Sequence, residues 1–342
     1  AALHFAAAQT RTVKSADELV VMRYASMATS DAHVSVMRSV RPGMKEYQLE
    51  ARFKGHIYDR FGCRNEAYTC ICAAGSHAAV LHYGHAGAPN DRVLTEDHIA
   101  LLDMGAEYHC YASDITCSYP VSGRFSPRQR FVYQAVLDAQ VAVITAMRPG
   151  VAWTDMHRLA ERTVLRHLVA EGLLVGDVEE MLELRVGAVF IPCGLGHLIG
   201  LDTHDVGGYL AGFPERIQQP GLKSLRTARA LEEGMCLTVE PGLYFVDCLL
   251  DRAMAEGSEM ARFFVPEEIA PYRGFGGVRL EDVVVVTADG VVNYTLCPRT
   301  VEEVEDVMAG GAWPPAADAL PQLQRAWGKL SDDGKGIVDV AL

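Results

Sequence analysis

Apolar positions early in the chain recur at helical intervals. Leu19, Met22, Tyr24, Met27, Val34 and Met37 mark one face of an amphipathic helix over Ala16 to Val40. Arg41-Pro42-Gly43 ends it, because proline cannot continue the hydrogen-bond ladder and glycine caps without steric cost. A second helix is predicted from Lys45 to Arg60. The pattern then turns strand-like over Tyr68 to Ala73, Ile99 to Met104 and Ala112 to Tyr119. Ile99-Ala100-Leu101-Leu102 lacks polar alternation, which predicts a strand buried on both faces.

The same order returns in the second half. Pro127 to Met147 reads as a helix ending in Arg148-Pro149-Gly150, a further helix runs from Thr154 to Glu171, and strands follow at Met235 to Glu240 and Val278 to Val286. The two halves align residue by residue. Val36 to Gly43 sits against Val143 to Gly150, and Leu94 to Gly105 sits against Leu231 to Gly242, both reading Leu-x-Glu-x6-[Asp or Glu]-x-Gly. Two helix-helix-strand halves, each ending a buried strand in a carboxylate, predict an α+β fold with internal pseudo-twofold symmetry and a site on the axis. Gly207 to Ala230 reads as a loop over that site, and Asp251 to Arg273 as an insertion. Gly310 to Leu342 is rich in Ala, Pro and Asp and is expected to be weakly ordered. The domain reading is one unit over 1–310 and a C-terminal extension over 311–342.

Composition narrows the partners. A formal net charge of −13 argues against non-specific nucleic-acid binding, which needs basic surface. No stretch approaches the ~20 uninterrupted apolar residues of a membrane-spanning helix. No basic segment followed by an apolar core marks a signal peptide, and the first residue, Ala1, is not an initiator Met, so the sequence reads as a piece or a processed form. Nine scattered cysteines without a CxxC pair suggest reduced thiols in a cytoplasmic protein.

The candidate chemistry lies in the strands. Asp103 closes an apolar run, and Asp114 follows eleven residues later. A hairpin turning near Tyr108-His109 would bring them side by side, where two buried carboxylates repel unless a cation or proton lies between them. Against this stands a surface turn or helix cap for either Asp. Glu240 sits between Val239 and Pro241, and Glu281 leads into Val283 to Val286. A buried glutamate there needs compensation. Arg279, two residues before Glu281 and on the same strand face, is one source: it could hold the carboxylates in place of a metal or support them beside one. His197, His204 and the pair His82 and His85 all sit in glycine-rich segments, which allow close backbone approach to a ligand. Four carboxylates and one imidazole suit hard divalent cations. Bridging carboxylates would hold two of them ~3.5–4 Å apart, an arrangement used for hydrolysis.

At this point the chain resembles the catalytic domain of the prolidases, the Xaa-Pro dipeptidases of the pita-bread peptidase family, which also holds aminopeptidase P and methionine aminopeptidase. The resemblance runs from Thr12 to Glu303. It rests on Ala79-Val-Leu-His-Tyr-Gly-His-Ala-Gly-Ala-Pro-Asn-Asp91, Leu102-Asp-Met-Gly105, Ala112-Ser-Asp-Ile-Thr-Cys117, Gly194-Leu-Gly-His197, His204-Asp-Val-Gly-Gly208, Ser224-Leu-Arg-Thr-Ala-Arg229, Thr238-Val-Glu-Pro-Gly242 and Gly274-Phe-Gly-Gly-Val-Arg279.

It implies a pita-bread fold with a curved antiparallel sheet, and hydrolysis of Xaa-Pro dipeptides by a metal-bridging hydroxide. It implies two divalent metal ions, usually Mn, with Co or Zn as alternatives, held by Asp103, Asp114, His197, Glu240 and Glu281. His204 would stabilise the tetrahedral intermediate, His82 and Arg226 would hold the substrate carboxylate, Glu240 would handle the proton, and Arg279 would support the ligands or meet the product. It also implies a homodimer for the full-length chain, whose N-terminal domain is absent here. Cys193 departs from the pattern: relatives often carry a histidine four residues before the metal-binding one. Release of a residue before proline from longer peptides, as in aminopeptidase P, is the alternative. A catalytically dead binding module and creatinase-like chemistry both conflict with the intact ligand set.

Overall fold

In the computed structural model, which describes residues 2–84, 90–331 and 336–341, helix α1 (Ala2–Thr12) precedes α2 (Ala16–Ser39). Ser15 caps α2 with a reciprocal pair: its hydroxyl accepts from the Glu18 N–H, and the Glu18 carboxylate accepts from the Ser15 N–H. Helices α3 (Glu46–Phe61), α4 (Pro127–Ala146) and α5 (Trp153–Ala170) follow the predicted positions within a few residues. Ser126 and Gln129 cap α4 in the same reciprocal way, with Pro127 at the first helical position.

The internal repeat is visible in hydrogen bonds. Gly43 and Gly150 both take a left-handed conformation, at φ 88° and 87°. The Gly43 N–H donates to Leu94 O and the Gly150 N–H to Leu231 O, each at 2.8 Å. These are the residue pairs that the alignment equated. Single bridges Lys45↔Val93 and Ala152↔Ala230, two residues past each glycine and one before each leucine, repeat the relation.

The strands are β1 (Asn65–Glu66), β2 (Ile71–Ala74), β3 (Ile99–Asp103), β4 (Ala106–Tyr108), β5 (Tyr111–Ala112), β6 (Thr116–Pro120), β7 (Cys236–Val239), β8 (Gly242–Tyr244), β9 (Gly277–Arg279), β10 (Asp282–Val286) and β11 (Val291–Asn293). All their pairings are antiparallel. One sheet runs β2-β3-β6, with β3, apolar up to its last residue, in the centre, and its counterpart runs β11-β10-β7. Thr116↔Glu281 bridges the two. The predicted hairpin turn falls between β4 and β5, where His109 and Cys110 adopt positive φ.

Several expectations change. The run Ala112 to Tyr119 is two strands, because Ser113 donates to Ala106 O and Met104 donates to Ile115 O, which pushes Asp114 out between them. The run Val278 to Val286 breaks at Leu280-Glu281, where Glu281 N–H turns to Thr116 O. The strand expected from Tyr68 begins only at Ile71, and Tyr68 turns inward. The Asp251 to Arg273 segment stands as an insertion, and it is packed: it holds the end of the helix Asp247–Met254 and the helix Pro266–Ile269, with Ala253 and Ile269 buried. The C-terminal segment expected to be weakly ordered anchors its described residues to the body. Leu323 is fully buried, and buried Arg325 reaches Glu303 and Asp318. His85 to Gly87 of the first glycine-rich histidine segment lie outside the described residues.

Candidate metal centre

The ends of the two sheets deliver the acids to one place. Asp103 is the last residue of β3, Asp114 sits in the break before β6, Glu240 follows β7, and Glu281 sits between β9 and β10. His197 comes from the loop that pairs with β7 through Leu198↔Leu237. These five, with His82, His204, Arg226, Arg279 and Cys193, line one cavity of about 590 Å³. Every predicted site residue is therefore in it. Asp103, Asp114, His197, Arg279 and Glu281 are buried, whereas His82, His204 and Arg226 are exposed toward the cavity mouth.

Two glycines make the convergence possible. A Cβ on Gly105 would lie 1.8 Å from Ser113 O, so no other residue lets the Asp103 and Asp114 segments meet. A Cβ on Gly196 would lie 2.1 Å from Thr238 O, which fixes His197 against the strand that leads to Glu240. The Trp153 indole at the start of α5 donates to Gly196 O at 3.2 Å and pins that loop from behind.

Ligand atoms of Asp114, His197 and Glu281 lie within 4.8 Å of one another. His197 Nε2 stands 3.4 Å from Asp114 Oδ2 and 3.5 Å from Glu240 Oε1. Its Nδ1 faces Leu198 O at 3.0 Å, which selects the tautomer that leaves Nε2 free to ligate. Hydroxyls hold the carboxylates: Thr116 donates to Glu281 at 2.6 Å and Thr238 to Glu240 at 3.2 Å. Arg279 does support an acid, but chiefly Asp103 at 2.5 Å, with Glu281 at 3.9 Å. Its other nitrogens donate to Thr116 Oγ1 and to the Tyr244 hydroxyl.

Sequence reasoning missed Tyr68, Thr116, Thr238, Tyr244 and Trp153. Tyr68 is the most telling. Its hydroxyl lies 2.5 Å from both Asp103 Oδ1 and Asp114 Oδ1. One hydroxyl proton can serve only one of those oxygens at a time. The other needs a proton of its own or a cation.

The electrostatics say the same. Burial, then the Asp114 charge, push the Asp103 carboxyl up to about 6. Burial pushes Glu240 up to about 7 and, with Asp114, holds Glu281 well above the usual carboxylate range. Burial also opposes the charge on Asp114, yet the His197 and Tyr68 contacts keep its pKa low. His197 is raised, since Asp114 and Glu240 overcome its burial. One guanidinium and one imidazole leave at least two of the four carboxylate charges uncompensated. The donors are carboxylate oxygens and one imidazole, a set that divalent cations fit. Cys193 adds no thiolate, because burial, then Glu240, push its thiol up to about 12. Its side chain packs on the apolar cluster of Ile71 and Tyr244 at the cavity wall. His204 stands perpendicular to His197, ring centroids 4.4 Å apart, and desolvation by the cavity walls, then the His197 and Arg226 charges, push it down to about 3, so it is neutral.

Comparison with known proteins places this geometry. Xaa-Pro dipeptidases of Mus musculus and Homo sapiens are 54% identical to the chain over 308 residues, covering 90% of it and 62% of their own length. The chain thus spans about 62% of the curated relatives it matches. The solved structure of Zn-substituted E. coli aminopeptidase P in complex with product superposes with a TM-score of 0.73 at 36% identity, over 88% of this chain and 60% of that one. The α+β arrangement is therefore the pita-bread fold. The profile of Metallopeptidase family M24 matches residues 20–288, more than half of the chain, and with it the strands and loops that carry all five candidate ligands: the chain belongs to Metallopeptidase family M24.

Proposed function

We infer that the chain hydrolyses Xaa-Pro dipeptides at a centre of two divalent cations, most simply Mn, held by Asp103, Asp114, His197, Glu240 and Glu281. The observation that carries this is the meeting of these five side chains, from five separate segments, at the floor of one cavity whose mouth is lined by His82, His204 and Arg226. Such cations, when bound, lower the pKa of a water and polarise a scissile carbonyl.

The chain's own groups do the rest. Glu240, beside His197 at the cavity floor, takes the proton released as water attacks and passes it to the leaving proline nitrogen. Thr238 fixes its orientation. Neutral His204 can donate a hydrogen bond to the oxygen of the tetrahedral intermediate without carrying a charge into the cavity. Arg226 and His82 at the mouth receive the substrate carboxylate, the group that only a two-residue substrate presents there. Arg279 lines the same cavity beneath the mouth. It holds Asp103 in place and balances part of its charge.

Residue release from longer Xaa-Pro peptides is the second reading, favoured by the likeness to aminopeptidase P structures. Paired assays of Gly-Pro and Gly-Pro-Ala with Mn present separate the two. Faster turnover of Gly-Pro supports the dipeptidase, and faster turnover of the tripeptide overturns it. The implied homodimer and cytoplasmic location are part of the same reading. Among the described residues, no helix is long and apolar enough to cross a membrane.

A further inference from the structure

An ion pair sealed beneath the His204 loop takes no direct part in the chemistry above. Lys14 Nζ lies 3.0 Å from Asp205 Oδ2, and both side chains are only 1% exposed. Arg11 reaches Asp205 Oδ1 at 2.5 Å and continues to Asp202 at 2.6 Å on the surface. Both cations come from residues before the part of the chain matched by the family profile, which starts at residue 20. Asp205 directly follows His204.

Close packing shows that this contact shapes the loop. A Cβ on Gly200 would lie 2.5 Å from Asp205 Oδ2 and 2.8 Å from Lys14 Cε. Gly207, at φ +107°, would place one 2.0 Å from Thr12 Oγ1. Arg229 ties Gln9 to Gly207 O. The backbone of Lys14 is itself fixed, by its N–H to Gly234 O and by Val13↔Met235, just before the strand that leads to Glu240. The path to the site is short. The Asp205 N–H donates to Leu198 O, the same carbonyl that His197 Nδ1 faces. His204 is thus suspended between a metal-ligand segment on one side and a buried aspartate on the other, with its ring open to the cavity.

We propose that Lys14 and Arg11 are positioning residues for His204, acting through Asp205, so that residues 9–14 form a strap that sets the ring which meets the reacting carbonyl. A buried aspartate stripped of its cation is costly, and the loop would shift to bring it to water. A displacement of the order of 1 Å at a catalytic group is enough for about 10²-fold in rate. The role of His204 rests on the function proposed above; the strap itself does not.

Two readouts on the full chain with Mn present test this. In Lys14→Met, backbone amides of residues 200–208 should exchange hydrogen for deuterium faster than in wild type, with Mn content per chain unchanged. Exchange at the wild-type rate there overturns the strap, whether or not the chain cleaves peptides. On Gly-Pro, Lys14→Met should lower kcat by about 10²-fold with KM little changed. In a His204→Ala background the same substitution should add less than twofold, because its effect passes through that ring. A full 10²-fold loss in that background, or a loss of bound Mn, shows a merely structural role and overturns the proposal. Should Lys14→Met fail to fold, Arg11→Gln serves: its partly exposed side chain makes one of the two Asp205 contacts, and the same pattern at smaller size is expected.

Discussion

Loading the metal-free chain with a divalent cation should expel protons, and their number follows from the site. With folded-state values of about 7 for Glu240 and about 6 for Asp103, these two carboxyls hold protons near neutrality, and Glu281 too is held well above the usual carboxylate range. At pH 6.5, Glu240 is roughly three-quarters protonated and Asp103 roughly one-quarter, so these two together give up about one proton when cations displace it. At pH 8 both are almost empty and their release falls to about a tenth of a proton. These two carboxyls should therefore make apparent affinity rise about 10-fold per pH unit near pH 6.5, and their contribution should flatten toward pH 8. The stability sign is the same. Groups whose folded pKa is raised stabilise the metal-free fold below their unfolded values near pH 4, and that contribution is lost as pH rises through 6 to 7. Asp114, held low, works in the opposite direction but is outnumbered. The gap in melting temperature between the Mn-loaded and metal-free chain should thus widen from pH 5 to pH 8. Calorimetric Mn titrations at pH 6.5 in two buffers of different ionisation enthalpy read the protons directly. Identical heats in both buffers, or a release that grows toward pH 8, would refute the reasoning.

Other perturbations follow from the same geometry. Thr238→Val and Thr116→Val each remove a hydroxyl that orients a carboxylate, so Mn affinity should drop about 10- to 100-fold with the fold intact, read by dialysis against graded Mn. Gly196→Ala drives a methyl into Thr238 O; it should cost about 1–3 kcal/mol in denaturant melts and weaken Mn binding together, whereas Gly43→Ala, with open space around it, should strain only its turn. Cys193→Ser should leave Mn content per chain unchanged, because the thiol is protonated; a lower content by elemental analysis would make it a ligand. Arg185→Met strips the buried Glu161 carboxylate of its guanidinium and frees Pro220 O in the loop leading to Arg226. Melting should report a loss of about 3–5 kcal/mol, as for other broken buried pairs.

Much of the architecture could be read from the chain because local signals agreed with it. Helices α2 and α4 carry helical periodicity, a capping residue and a Pro-Gly stop, and the repeat of Leu94 and Leu231 told which segments were equivalent. The acids were legible because a carboxylate at the end of an apolar strand is costly to bury unless a cation, a proton or a donor meets it. What stayed hidden depends on contacts between distant segments. The breaks at Ser113 to Ile115 and at Leu280-Glu281 arise where one strand turns to meet another, and nothing local marks them. Tyr68 and the two threonines are ordinary strand-type residues until a carboxylate lies beside them. Lys14 and Asp205 are separated by 191 positions and were invisible as a pair. The described residues of the C-terminal segment depart from what composition suggests, because Arg325 and Leu323 bring burial and charge pairing that seat part of an Ala- and Pro-rich stretch.

That Asp103, Asp114, His197, Glu240 and Glu281 form a two-cation peptidase centre is the central claim. The most direct measurement is a single titration of chelator-stripped chain with Mn, following bound metal and Gly-Pro hydrolysis in the same samples. No turnover is expected without metal, and activity should climb with Mn and level off at two ions per chain. Turnover in the stripped chain, or saturation with Mn at two per chain without any cleavage of Gly-Pro, would contradict it.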